Sequence, residues 1–412
     1  MRDQHDVDIL IVGAGAAGLM AGIWAARTAP NRRVLLLDGA AKLGAKILVA
    51  GGGRCNVTHD EVTPEAYAGS SRNAIKKVLR RFDVPQTVEF FRALGVPLKR
   101  EATGKLFPVS DSAKTVLEAL LRALREAGGH IQHPRRVEGI YKVADGFTVG
   151  GVWGEIRASK VILATGGKSL PKSGSDGGGY LLVRSLGHTL TEHIFPALVP
   201  LILPADHFIR TLSGITLPTT LTLWSGTGRK LVSFTDSTLC THFGLSGPAP
   251  LDISRYYTDA RYSDADAYLS IHWLPNRNAE QVEADLLALG KVSLLRYLTD
   301  HLPERLARAL CAEVGVDPSV PSERLTREQR RALVQVICAC KLPITGDRGF
   351  TYAEVTAGGV PLSEIRLETM ESRVCEGLYL CGEICDVDGR IGGYNFQWAW
   401  SSGYVAGISA AQ

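Results

Sequence analysis

The chain has 412 residues, 45% of them hydrophobic and 21% charged, which argues against a disordered chain and, at roughly 100 to 200 residues per domain, implies more than one folding unit. Its 46 basic and 42 acidic side chains nearly cancel, to a formal +4, with no block of like charge, so nucleic-acid binding by a basic face is not expected. Eight cysteines are too few for a secreted disulfide framework and fit a reducing cytoplasm.

Met1 to Asp8 carries three Asp and one Arg, the wrong sign for a signal peptide. The uncharged stretch Ile9 to Ala26 that follows is broken by four glycines, so it is read neither as a leader nor as a membrane span. Val7 to Val12 reads instead as a buried strand, Gly13-Ala14-Gly15-Ala16-Ala17-Gly18 as a turn, and Leu19 to Ala29 as a helix ending before Pro30. In such a context the first glycine permits the turn, the second lets backbone reach a pyrophosphate, and the third allows close helix-strand packing. Val34 to Leu37 is a second apolar strand, ending in Asp38, 20 residues after Gly18. A carboxylate there can take both ribose hydroxyls and repels a 2′-phosphate, so the adenosine belongs to FAD or NAD rather than NADP.

Gly44-Ala45-Lys46 leads through Ile47 to Val49 into Gly51-Gly52-Gly53-Arg54-Cys55-Asn56, a second glycine nest suited to a ligand longer than NAD. Val161 to Leu163 is another strand, followed by Ala164-Thr165-Gly166-Gly167, where small residues let the chain pass close to a dinucleotide. The middle of the chain changes character twice. Phe195 to Trp273 holds period-two segments such as Thr220 to Trp224 and Leu269 to Trp273, hence strands. Between Ala279 and Cys340 the spacing is helical, with Leu302, Leu306 and Leu310 around Pro303, and a capping box from Thr326 to Gln329. Its arginines (Arg305, Arg308, Arg330, Arg331) read as solvated faces. His242, set before Gly244-Leu245-Ser246-Gly247-Pro248 read as a tight turn, is the candidate catalytic proton carrier, or else fixes that turn by bonding backbone.

Near the C-terminus, Leu378 to Leu380 repeats the strand and ends in Cys381-Gly382-Glu383, and Gly392-Gly393-Tyr394-Asn395 opens a helix running to about Ala411. The Glu383 carboxylate suits a ribityl hydroxyl, and the helix N-terminus suits the electron-rich N1/C2 edge of a flavin. With sites at both chain ends, the middle is an insertion. The expected segments are 1–190 for the first part of the nucleotide domain, 191–275 for a β-rich insert, 276–343 for a helical subdomain, and 344–412 for the return through the insert and the second part of the nucleotide domain. The cysteines read as packing residues, although Cys55 beside the nest could be a low-pKa thiol; no metal set is spaced for ligation.

Lys46 to Asn56, Thr165 to Gly187, Thr241 to Pro248, Ala357-Gly358-Gly359-Val360 and Gly382 to Gly403 together resemble the family of bacterial and archaeal flavoproteins that includes YhiN and BaiN and is related to the aminoacetone oxidases. The resemblance spans nearly the whole chain. It implies an α/β fold: a Rossmann-like FAD-binding domain built from both chain ends, with an inserted β-rich, barrel-like domain and a small helical subdomain. It also implies FAD contacts from Gly13, Ala14, Gly15, Ala16, Ala17, Gly18, Asp38, Lys46, Gly53, Arg54, Asn56, Val137, Thr165, Glu383, Asn395 and Phe396. The chain's own pattern adds Cys55, Ala164, Gly166, Gly382 and Gly393. Asp38 stands where the family usually has Glu, and Ala45 and Ala50 where it often has Arg and Ser.

The expected function is an FAD-dependent oxidoreductase of a small organic substrate, without nucleic-acid or membrane partners. Only one strand-glycine-helix motif is present, so either any NAD(P)H visits the substrate cavity as a transient donor or an organic substrate reduces the flavin directly. Two other readings stay open on the residues: a flavoprotein whose FAD is structural or sensory, with a partner-binding insert, and an NAD-only dehydrogenase.

Overall fold

The computed structural model describes residues 7–412, so most of the acidic segment weighed above, Met1 to Asp6, lies outside the described residues. The chain forms two compact units, Met1–Pro196 with Glu354–Gln412, and Ala197–Ala353.

The first unit is built on a nine-stranded sheet. Its centre is β1 (Val7–Val12), flanked in parallel by β2 (Val34–Leu37) and by the strand Gly154–Leu163, with Leu378–Leu380 parallel beyond the latter. Ile9, Leu10 and Ile11 are fully buried, as expected of a parallel strand covered on both faces, and this is why the segment reads as a continuous apolar run rather than an alternating one. α1 (Ala16–Thr28) packs against the C-terminal helix Tyr394–Ala411. A Cβ on Gly407 would collide with the Ala21 carbonyl, so this helix pair closes to backbone contact. That contact makes the two ends of the chain one layer.

The strand ends meet along one edge. Gly13 N–H donates to Leu37 O (2.8 Å), Ala164 N–H to Val12 O (2.9 Å) and Cys381 N–H to Leu163 O (3.0 Å). The glycine turn, Asp38, the Ala164 loop and the Gly382-Glu383 segment therefore leave the sheet at its carboxyl edge, where an open α/β sheet binds ligands.

The second unit is a seven-stranded antiparallel sheet in the order Cys340–Leu342, Tyr268–His272, Thr216–Trp224, Lys230–Thr241, Gly244–Ser246, Leu201–Ile202, Gly346–Asp347. Its two edge strands are consecutive in the chain. Four peptide steps from Leu342 to Gly346 span at most about 14 Å, so the sheet has to curl toward a barrel. Four helices, Ala279–Ala288, Leu294–Thr299, Glu304–Glu313 and Arg327–Cys338, share one core with it through Leu221, Leu269, Leu306 and Leu333. The Thr326/Gln329 capping box forms, with both bonds at 3.1 Å.

Two local expectations are corrected. Gly244-Leu245-Ser246-Gly247-Pro248 is not a tight turn: Gly244–Ser246 is a strand paired with Leu239 to Thr241, and the turn is the preceding His242-Phe243 pair. Gly247, at φ 91°, then starts a helix, Pro248–Ser263, inside the stretch read as strands. Two prolines within its first three residues disguised it, since Pro is welcome at a helix N-terminus yet reads as a breaker elsewhere.

Candidate functional site

The site in the first unit begins at the glycine turn. Gly13 has φ 102°, and a Cβ there would collide with the Ala164 carbonyl; a Cβ on Gly18 would collide with the Gly13 carbonyl. Gly15 is different. It is the N-cap of α1, has no side-chain cap, and faces open space with nothing within 4 Å of a built Cβ. The N–H groups of Ala16, Ala17 and Gly18 in the first turn of α1 thus form a bare, positively polarised end suited to a pyrophosphate.

Asp38 is locked beside it. Its Oδ2 accepts from Ala14 N–H (2.7 Å) and its Oδ1 from Ala40 N–H (2.8 Å). Each carboxylate oxygen keeps a further lone pair, enough for one ribose hydroxyl apiece. Asp38 O accepts from Arg135 N–H, which brings the chain segment of the buried Val137 alongside Asp38.

The second nest is more exposed than the first. α2 (Ala45–Gly53) is broken at Ala50, Gly51 and Gly52; Gly51 and Gly52 have φ 58° and 69°, and Gly53 follows at 87°. The left-handed backbone folds the chain here into a concavity, with the N–H groups of Arg54 and Cys55 donating to Ala50 O. A Cβ on Gly52 would meet nothing within 4 Å, so that concavity is open. Cys55, itself at φ 62°, closes it from beneath and is fully buried. Burial pushes the Cys55 thiol up to about 12, which removes the low-pKa reading and makes the residue a packing group whose backbone shapes the nest. Arg54 turns outward: its Nη1 donates to Glu101 Oε1 (2.6 Å) and its guanidinium lies 4.0 Å from the Phe107 ring centroid.

The two chain ends are joined at Lys46 and Glu383, whose Nζ and Oε2 lie 2.7 Å apart. Glu383 Oε1 also accepts from Thr356 N–H (3.0 Å). Thr356 Oγ1 in turn accepts from the N–H groups of Lys168 (2.8 Å) and Ser169 (3.0 Å). Sequence reasoning missed Thr356 and Ser169, though Thr356 directly precedes the Ala357-Gly358-Gly359 motif. Gly382 holds the turn above, its N–H donating to Ser402 Oγ and its carbonyl accepting from Trp398 Nε1, both at 3.0 Å.

At the C-terminal helix, Gly393 is the N-cap, with φ 97° and no side-chain cap. The Asn395 side chain is consumed by Gly389, accepting from its N–H (2.8 Å) and donating to its carbonyl (2.9 Å); what it offers a ligand is backbone. Phe396 stacks on Trp400, with centroids 5.5 Å apart at 12°.

Whether this lining fits a dinucleotide can be read from its unsatisfied atoms. Asn56 Oδ1, Thr165 Oγ1 and Ser175 Oγ are buried without a hydrogen-bond partner, a costly state that a polar ligand relieves. Asn56 borders the second nest, where a Cβ on Gly51 would lie 3.1 Å from its N–H nitrogen. Thr165 follows Ala164 against the first turn, and a Cβ on Gly166 would lie 2.7 Å from Ser175 Oγ. Two glycine cradles, a ribose-capable carboxylate and these three atoms fit FAD.

His242 belongs to the second unit. It is exposed at the hairpin turn, its ring edge-on to Phe243 with centroids 5.1 Å apart. The turn is held by other groups: Thr241 Oγ1 bonds both the N–H and the carbonyl of Gly244, and Arg210 Nε donates to the His242 carbonyl (2.6 Å). The imidazole is not the brace of the turn.

Among the described residues no helix is long and apolar enough to cross a membrane. Comparison with known proteins matches residues 7–409 to the family described as HI0933-like protein Rossmann domain. A 3-dehydro-bile acid delta(4,6)-reductase from Clostridium scindens is 36% identical over 406 residues, 98% of each chain. A ribosomal RNA dihydrouridine synthase from Escherichia coli is 34% identical over 404 residues, 97% of this chain and 96% of that one. Among solved structures, the quinol fumarate reductase subunit FrdA of E. coli superposes with a TM-score of 0.51 at 18% identity, covering 98% of this chain and 70% of that one, a likeness of fold. The chain belongs to the HI0933-like family and is an FAD-dependent oxidoreductase built on that family's Rossmann domain.

Proposed function

We propose that the chain reduces a carbon-carbon double bond conjugated to a carbonyl group. The observation that carries this reading is that two relatives of about equal identity, one named for a bile-acid delta(4,6)-reductase and one for a dihydrouridine synthase, differ in substrate and share this chemistry. A 3-oxo-4-ene and the C5=C6 bond of uracil are both electron-poor alkenes that accept hydride at the carbon β to the carbonyl and a proton at the α carbon.

FAD, when bound and reduced by a two-electron donor such as NAD(P)H, would supply the hydride, and the chain's residues would hold it and manage the proton. In this assignment the first turn of α1 binds the pyrophosphate, Asp38 the ribose, and backbone near Val137 the adenine. Gly53, Asn56, Thr165 and the Lys46-Glu383 pair bind the ribityl and ring end. The helix N-terminus at Gly393, without a side-chain cap, would stabilise negative charge on a reduced flavin ring. His242 is assigned the proton to the α carbon, because its imidazole is exposed and does not brace its turn.

A small conjugated ketone is the substrate class we favour, consistent with the near-neutral charge of the chain; RNA is the second reading, favoured by the dihydrouridine synthases among the relatives. All eight cysteines are free, which supports placing the protein in a reducing cytoplasm. Incubating the holoprotein and NAD(P)H with a 3-oxo-4-ene steroid acid, and separately with a uridine-containing RNA, tests the reading by product mass. A gain of two hydrogens on either supports it; unchanged mass on both rejects it.

A further inference from the structure

The second unit holds a fixed cation without a counter-charge. Arg348 Cζ lies 3.4 Å from the ring centroid of Tyr352 and 4.5 Å from that of Phe243. Its backbone is pinned as well: Arg348 N–H donates to Pro200 O (3.1 Å), Asp347 Oδ1 accepts from Gly349 N–H (2.7 Å), and the N–H groups of Tyr352 and Ala353 both donate to Gly349 O. The neighbouring carboxylate, Asp347, is thus occupied by the turn. Among the described residues the guanidinium makes no ion pair or hydrogen bond.

An exposed arginine is ordinarily mobile and hydrated, so gripping an anion costs it side-chain entropy. Here two rings have already removed that freedom. Ring contacts of this kind consume none of the five N–H donors of the planar fork, which remain for a ligand. The surroundings suit an anion: Arg210 reaches the His242 carbonyl beside Phe243, and Tyr352 is half exposed, so the edge is reachable from solvent.

We infer that Arg348 is a binding site for an oxyanion, carboxylate or phosphate. The inference rests on the two rings and the unpaired fork. A two-oxygen anion meets the fork with two parallel N–H···O bonds. A steroid acid offers one through its carboxylate and an RNA strand through its phosphodiester, so one site serves either source.

Isothermal titration of the FAD-loaded protein with a 3-oxo-4-ene steroid carboxylic acid, its methyl ester and a short uridine-containing single-stranded RNA tests this. At least one oxyanion probe is expected to bind. Arg348→Gln should weaken that binding by roughly 10- to 100-fold, Arg348→Lys, which keeps the charge without the fork, should fall between, and the ester should bind wild type and Arg348→Gln alike. The probe that responds identifies the source. Should Arg348→Gln fail to fold, the loss in Arg348→Lys gives the same answer. Binding unchanged in the variants, or no binding of either oxyanion probe, overturns the inference. Failure of the proposed reduction is separate: a bound probe that leaves the reduced flavin unoxidised.

Discussion

Lys46 Nζ and Glu383 Oε2 lie 2.7 Å apart although 337 positions separate the two residues in the chain. The pair ties the segment after the second strand to the segment after the last one, and both side chains are largely shielded. Removing one partner strands the other's charge, at a cost of roughly 1.5 to 3 kcal/mol. Lys46→Met should therefore lower both the melting temperature and flavin occupancy, while Glu383→Gln, which keeps an acceptor for Thr356 N–H, should be milder. A double-mutant cycle showing no coupling would dissolve the link.

Asp38→Ala removes the brace on Ala14 N–H as well as the ribose acceptor. We expect flavin retention after dialysis to fall at least tenfold, with Asp38→Asn intermediate because its single carbonyl oxygen replaces only one of two acceptors. Wild-type retention in Asp38→Ala would move the adenosine elsewhere.

Gly52→Ala meets no neighbour but forces an L residue into left-handed backbone, at about 1 to 2 kcal/mol. The fold should survive and flavin binding should weaken, since relaxing that backbone redirects the N–H groups of the nest. Equal flavin affinity, measured by titrating apoprotein, would show that the nest is structural only.

Much of this was legible in the sequence because local physics dictated it. A buried parallel strand reads as Ile9-Leu10-Ile11, and a turn closed against the Ala164 carbonyl admits only Gly13. What was hidden depended on partners far away in the chain. Thr356 becomes a site residue only when the Lys168-Ser169 loop arrives, and the Asn395 amide is spent on a turn that composition does not reveal. Arg54, an FAD contact in the family resemblance, also bonds Glu101 and stacks near Phe107, partners that its own motif does not reveal. Pro248–Ser263 was missed because its helix signal sits in the cap and not in its periodicity.

His188 Nδ1 lies 2.7 Å from Glu364 Oε2, and its Nε2 2.8 Å from Ser372 Oγ, in a buried set. Desolvation pushes the Glu364 carboxyl up, but hydrogen bonds from Thr189 and His188 outweigh it and hold the group below its ordinary value. A carboxyl depressed in the folded state stabilises fully above its unfolded pKa of about 4.3 and loses that stabilisation as pH falls through the lower, folded value. Melting temperature should drop on acidification below about pH 4 in wild type, and drop less in Glu364→Gln; parallel curves would contradict this.

If His242 carries the proton, His242→Gln keeps flavin occupancy and melting temperature but slows turnover by roughly 10² to 10⁴. A variant that loses activity only in proportion to stability or flavin would exclude that role.

The most direct measurement is an anaerobic single turnover. The bound flavin is reduced photochemically, without NAD(P)H, and mixed with a 3-oxo-4-ene steroid acid or a uridine-containing RNA while its absorbance is followed. Return of the oxidised spectrum, one flavin per double bond saturated, is the predicted result. A flavin that stays reduced with both, in protein shown to bind either one, would contradict the reduction of a conjugated double bond.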